Sequence, residues 1–126
     1  MSDTTVLSII ESPTHPDFSP VYRRLGFHEK RATSTRKAMS LIKEVSPDYV
    51  VAEFFYGYGN NYAGVNVSNL DVFLYSLQKY APQARIVVLV EKEERAFVDK
   101  LDALFPLHAV LQHPVNEAQL EAVFDE

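Results

Sequence analysis

The groups of this chain able to do chemistry are carboxylates, imidazoles and hydroxyls, because the sequence has no cysteine. That excludes thiolate chemistry and a disulfide framework. Three sets of such residues stand at the ends of apolar runs. Glu53 lies late in Tyr49-Val50-Val51-Ala52-Glu53-Phe54-Phe55, Glu11 and Ser12 follow Val6-Leu7-Ser8-Ile9-Ile10, and His113 and Pro114 follow Ala109-Val110-Leu111-Gln112. Short apolar, β-branched runs read as buried strands, so each set would sit at the mouth of a sheet. Brought together, Glu11, Glu53 and His113 could make a mixed oxygen–nitrogen metal site. They could also make a contact that responds to pH, since histidine titrates near about 6.5 and carboxylates raise that value. The plain alternative is a solvated Glu53 at a strand end and a simple hydrogen-bonding His113. No local spacing supports a metal, and no metal or cofactor is expected.

Other catalytic signatures are missing. There is no Gly-x-x-x-x-Gly-Lys loop, no Gly-x-Ser-x-Gly elbow and no His-Glu-x-x-His. His15, His28, His108 and His113 have no metal-ligand spacing. Enzymatic activity is not expected.

The elements that would position these residues alternate along the chain. Phe18, Val21, Tyr22 and Leu25 form one helical face, with Ser19-Pro20 at its start and Gly26 at its end. A more polar strand is expected over Glu29 to Thr33. Ala38, Leu41, Ile42 and Val45 repeat the helical spacing, and Pro47 is expected to stop that helix. Ser68 or Asn69 opens a helix with the face Leu70, Phe73, Leu74 and Leu77, and Asp71 completes a capping-box pattern from Ser68. Arg85 to Val90 is a fourth strand. Phe97, Leu101, Leu104 and Phe105 mark a fourth helix ended by Pro106. Asn116 caps a last helix, with Gln119 three residues on and Leu120, Val123 and Phe124 facing inward.

Five strand–helix units in 126 residues predict one domain over residues 1–126. Continuous apolar strands joined by helices imply a parallel sheet covered on both faces. The expected architecture is α/β: a doubly wound, flavodoxin-like five-stranded sheet of order 2-1-3-4-5 in three α/β/α layers. Ligands of such folds sit at the carboxyl ends of the strands.

Composition narrows the partners. The net charge is -5, and the densest charge run, Glu91-Lys92-Glu93-Glu94-Arg95, is mainly acidic, so nucleic acid is not an expected partner. No apolar run approaches the roughly 20 residues of a membrane span, and Met1-Ser2-Asp3-Thr4-Thr5 lacks a signal-peptide pattern. A cytoplasmic location without membrane contact is the expectation. The stretch Tyr56 to Val67 is long for a strand-to-helix loop. It holds Tyr56, Tyr58 and Tyr62 and three of the four glycines, which reads either as an ordinary loop or as a partner surface. Flavin stacking is a further reading, but Glu11 to Pro16 has no glycine to cradle a phosphate.

With these residues placed, the sequence resembles a response-regulator receiver domain (CheY-like) over nearly its whole length. Pro47-Asp48-Tyr49-Val50-Val51-Ala52-Glu53 is similar to the segment carrying the phosphorylated aspartate, with Glu53 at that position. Leu7 to Ser12 resembles the first strand and its acidic pair, with Glu11 and Ser12 at the pair. Val90 stands where the family has a switch hydroxyl. His113 stands at the lysine, Pro114 matches the proline after it, and Val110 replaces the switch aromatic. By resemblance, the His113-Pro114 bond is expected to be cis. Phosphorylation needs an aspartate, a Mg²⁺ held by acidic oxygens, a hydroxyl and a lysine. Here these are Glu, a single acid beside Ser, Val and His. The resemblance therefore implies a pseudo-receiver: a phosphorylation-independent signalling module that contacts a protein partner, with a homodimer as one form. Glu53 would then be a mimic of the phosphorylated state, a partner of His113, or a residue without duty. The expected contact face, by resemblance, is the fourth helix, fifth strand and fifth helix, around Phe97, Leu101, Val110, Val115 and Leu120. The alternatives are a receiver that still takes phosphoryl groups or metal at an atypical site, and a flavodoxin-like binder of a small molecule such as flavin.

Overall fold

A computed structural model describes residues 4–13, 15–56 and 68–124. Tyr58, Tyr62 and the rest of 57–67 lie outside the described residues. Five parallel strands form one sheet: β1 (Thr5–Ile9), β2 (His28–Ala32), β3 (Tyr49–Glu53), β4 (Arg85–Val90) and β5 (Ala109–Gln112). Their order is β2-β1-β3-β4-β5, the predicted flavodoxin-like arrangement. The helices are α1 (Ser19–Leu25), α2 (Thr35–Leu41), α3 (Asp71–Tyr80), α4 (Val98–Leu104) and α5 (Glu117–Val123). No helix among the described residues is long and apolar enough to cross a membrane.

The continuous apolar strands follow from burial on both faces. All five residues of β3 are buried. Strand side chains alternate between faces, so Val50 and Ala52 join Leu7, Ile9, Val88 and Val90 in one core. Tyr49 and Val51 join Val6, Val87 and Leu89 in the other. Phe73 of α3 and Leu101 of α4 complete the first core, whereas Val21 of α1 and Leu120 of α5 complete the second. The edge strand β2, His28-Glu29-Lys30-Arg31-Ala32, buries only Ala32. Charge along an exposed edge discourages further strand pairing.

Local chemistry explains most ends. Gly26 adopts φ 76° and its N–H donates back to α1, a conformation glycine tolerates. Asn116 and Gln119 form the expected reciprocal capping box on α5. The peptide bond between His113 and Pro114 is cis, as the resemblance implied.

Several boundaries differ from expectation. Strand β2 starts and ends one residue earlier than predicted, and β3 ends at Glu53, although the Phe54 N–H still donates to the Leu89 carbonyl. Helix α2 ends at Leu41, ahead of Pro47. There the bonding tightens to i→i−3 steps, from Lys43 to Ser40 and Glu44 to Leu41, so the proline is not what stops it. Helix α3 begins at Asp71, with Ser68 and Asp71 bonded just before it: the Ser68 N–H donates to the Asp71 carboxylate, and the Ser68 hydroxyl accepts from Leu70. A 3₁₀ segment, Lys92–Phe97, precedes α4. Phe97 therefore lies ahead of the helix; Val98, Leu101 and Phe105 are buried, whereas Leu104 is 48% exposed.

Candidate functional site

The carboxyl ends of β1, β3 and β5 converge as predicted. Glu53 closes β3, paired with Leu89 of β4. Its side chain is 6% exposed, so it is not a solvated strand-end residue. Its Oε1 accepts the backbone N–H of Glu11 at 2.6 Å and of Ser12 at 2.9 Å. A carboxylate held by two backbone donors makes strong, charge-assisted bonds. These bonds join β3 to the loop after β1, and no described hydrogen bond or ion pair runs from Glu53 to His113.

Burial pushes the Glu11 carboxyl up from its ordinary value, and the neighbouring Glu53 carboxylate adds to this. Hydrogen bonds from the Asn69 side chain and the Thr35 backbone act in the opposite direction. Asn69 has a larger part here than a helix-opening residue. Its Nδ2 donates to the Glu53 carbonyl at 3.0 Å, and its Oδ1 accepts the Phe55 N–H at 2.7 Å. Its own N–H donates to the Phe55 carbonyl. Tyr56 and Ser68 pair as an antiparallel bridge beside it. Phe55, Tyr56, Ser68 and Asn69 thus form a hydrogen-bonded neck beside the end of β3.

Next to Glu53 lies an open cleft of 260 Å³, lined by Ser12, His15, Pro16, Glu53, Glu91, His113, Pro114 and Val115. Two residues expected in this pocket are elsewhere. Val90 is buried in the core and does not line the cleft; its carbonyl accepts the His113 N–H at 2.9 Å. Glu11 lines a neighbouring cleft of 350 Å³ that reaches Arg31 and Thr33. For Val90 the strand pleat is the reason, because it turns the side chain toward the α3–α4 face.

His15 is the residue that sequence reasoning missed. Its ring meets the His113 ring edge-on, with centroids 5.1 Å apart and planes at 81°, and it also meets Phe18. Its Nδ1 lies 2.9 Å from the Pro16 carbonyl oxygen. Its Nε2 is buried without a hydrogen-bond partner, the one such side-chain atom among the described residues. No sequence signal links His15 to His113, because loops after different strands bring them together. Among the described residues, no group of three His, Cys, Asp or Glu side chains is arranged to hold a metal ion. A Mg²⁺ of the receiver type fits this site poorly. Ser12 brings no second acid, and one Glu53 oxygen is committed to backbone donors.

A polar network borders the second cleft. Ser8 and Ser19 hydroxyls both donate to the Glu29 carboxylate. Arg31 reaches Asp17 at 2.7 Å and Ser19 at 3.1 Å. The Ser19 backbone N–H and hydroxyl, followed by Arg31, hold the Asp17 carboxyl down at about 2.

The predicted contact face divides sharply. Leu101, Val115 and Leu120 are buried in the two cores and cannot meet a partner. Phe97 and Val110 are half-buried against the core. Tyr56 is 42% exposed and stacks on Phe97 with centroids 3.8 Å apart. The Lys100 ammonium lies over both rings.

No family model matches the sequence, and no curated protein matches it. Solved structures do share its fold. The Vibrio cholerae chemotaxis protein CheY4 superposes with TM-score 0.77 at 13% identity, covering 98% of each chain. The signal receiver domain of a LuxO repressor protein from Vibrio parahaemolyticus gives 0.76 at 12% identity, over 98% of this chain and 88% of that one. A response regulator receiver domain protein from Clostridium thermocellum gives 0.74 at 17% identity, over 97% and 91%. At such identities the likeness is one of fold: this chain has the CheY-like architecture of response-regulator receiver domains.

Proposed function

We propose that this chain is a receiver-like signalling module that acts by contact with a protein partner and without a phosphorylation cycle. The observation that carries this reading is the commitment of the Glu53 carboxylate to the Glu11 and Ser12 amides. A phosphoryl acceptor must present an accessible oxygen in line with the donor; Glu53 is 6% exposed and its Oε1 ties the loop after β1 to the end of β3. The absence of a hydroxyl at Val90 and of a second acid at Ser12 supports the same reading, as does the imidazole of His113 in place of a lysine. The contact surface then falls on Tyr56, Phe97 and Val110, with the exposed Leu104 further along α4. Aromatic rings of this kind are enriched where proteins meet.

The test is a titration with Mg²⁺ and beryllofluoride, followed by tyrosine fluorescence. The expected result is no saturable, Mg²⁺-dependent change. A saturable response that disappears in Glu53→Ala would overturn the proposal and restore a phosphorylatable receiver. Sedimentation of the wild type and of Phe97→Glu then tells a homodimer from contact with a different protein.

A further inference from the structure

We infer that the outer face of α3, with the basic side of α2 beside it, docks a short acidic segment of a partner protein that carries apolar anchors. The first ground is the helix itself. Val72, Tyr75 and Lys79 follow at i, i+3 and i+7, one helical face. Val72 is 53% exposed, Tyr75 57% and Tyr80 41%. Three of the five large hydrophobic side chains exposed among the described residues thus stand on this ten-residue helix. Lys79 is its one exposed charge, because Asp71 is buried and bonded to Ser68. The solvent face of a helix ordinarily carries charge, whereas an apolar patch with a polar rim is the composition of a protein interface. Tyr75 is also held in place. Its ring meets Phe105, just after α4, edge-on with centroids 4.9 Å apart, and a fixed ring loses little freedom when a partner covers it. Phe105 also lines a cavity of 160 Å³ with Leu77, Ala81 and Ile86 beside the carboxyl end of α3, a place for one anchoring side chain.

The charge around this face sets the chemistry of the partner. The chain has 17 acidic and 12 basic residues, yet residues 34–46 and 70–81 reverse that balance. They hold Arg36, Lys37, Lys43 and Lys79 against Glu44 and the buried Asp71. Helix α2 packs alongside α3. Ala38 and Ile42 turn to the core, which leaves Arg36 and Lys43 exposed on the outer side. None of the four cations forms an ion pair among the described residues; Lys79 lies over the Tyr80 ring. Carboxylates of a partner would meet cations with no competing acid, whereas a basic segment would be repelled. A nucleic acid would instead carry its phosphates over the acidic remainder of the chain. The inference rests on the reading of the chain as a module that works by protein contact, but it uses a surface apart from the Tyr56–Phe97 stack.

The experiment selects random short peptides displayed on phage against the full-length protein, with counter-selection on the double variant Val72→Glu, Lys79→Glu. The strongest binder is synthesised and titrated into ¹⁵N-labelled wild type. The expected survivors are acidic peptides with two or more apolar residues, and the amide shifts cluster on α2 and α3. Val72→Glu should weaken binding about ten-fold or more, and added salt should weaken it further. Lys92→Glu, an equal charge change away from this face, should alter it little. No peptide surviving counter-selection, survivors that are neutral or basic, or shifts outside α2 and α3 each overturn the inference. So does self-association in sedimentation that Val72→Glu abolishes, which gives the face to a second copy, or displacement of the peptide by oligo-dT, which gives it to nucleic acid. The wild-type NMR arm decides the matter even where a variant folds badly. A failure here leaves the beryllofluoride and Phe97→Glu tests intact, since these read Glu53 and the start of α4.

Discussion

The Glu53 carboxylate accepts the backbone N–H of Ser12 at 2.9 Å and, through the same oxygen, that of Glu11. Strand β3 thus holds the loop that follows β1, although the two strands are already paired through their backbones. The bond matters because both loop amides lie where the next helix has not yet begun and no ladder can satisfy them. A carboxylate at this strand end is structural here before it is anything else.

Glu53→Ala should therefore cost about 2–3 kcal/mol in urea unfolding, the expected loss when a charged acceptor leaves partly buried donors unpaired. Glu53→Gln keeps an acceptor oxygen without the charge and should cost less. Equal stability of Glu53→Ala and wild type would show that water replaces the carboxylate and that the tie contributes nothing.

Asn69→Ala removes two side-chain bonds at the neck, to the Glu53 carbonyl and from the Phe55 N–H. The expected loss is about 1–2 kcal/mol. Faster hydrogen exchange at the Phe55 amide should accompany it, with little change in central β4. Exchange that rises uniformly over the sheet would point to global weakening instead of an opened neck.

What can be read from sequence depends on how local each feature is. The strands are legible because burial on both faces leaves an unbroken apolar run, as in Ile86, Val87, Val88 and Leu89 of β4. The caps at Gly26 and Asn116 are legible because the residue type itself sets the geometry. Helix α4 is misread because Phe97, counted on its face, belongs to a 3₁₀ segment before it. The buried face of the helix is Val98 and Leu101, with Phe105 after it, and Leu104 lies off that face. At the site, the position of Glu53 can be read but not its partners, since these are backbone groups of another loop. The His15–His113 contact depends on two loops meeting and leaves no trace in spacing.

Glu11 gives a pH dependence with a definite sign. Its folded-state value is raised above the ordinary 4.5, first by burial and then by Glu53. A carboxyl raised on folding contributes stability that is fully present below the unfolded value and is lost as pH rises through the folded one. Glu11→Gln should therefore remove a decline in stability that the wild type shows above pH 4.5. Urea midpoints measured across that range check this, and parallel pH profiles for the two proteins would contradict it.

Asp17 has the opposite sign. Its carboxyl is held at about 2, against an ordinary 3.8, so its contribution is present above 3.8 and is lost as pH falls toward 2. The group is exposed and its pair with Arg31 lies at the surface, where solvent screens the interaction. The effect is better read by NMR titration than by unfolding. Ser19 dominates the shift, through its backbone N–H and hydroxyl, ahead of Arg31. Arg31→Gln should therefore leave Asp17 still clearly depressed. A return to the ordinary value in that variant would give the guanidinium the leading part.

Leu101 and Leu104 sit three residues apart on α4 yet face different surroundings. Leu101 is fully buried between α4 and the sheet, whereas Leu104 is 48% exposed. Leu101→Ala should cost about 2–5 kcal/mol by opening a cavity. Leu104→Lys should change stability by no more than about 0.5 kcal/mol. The partner surface should show the reverse order. A charge at position 104, on the helix that follows the Tyr56–Phe97 stack, places an unpaired ammonium in the contact and should weaken capture of a partner or a second copy. If Leu104→Lys proves as damaging to folding as Leu101→Ala, then α4 is rotated from the orientation described. If it leaves both folding and partner capture unchanged, the contact surface lies on another face.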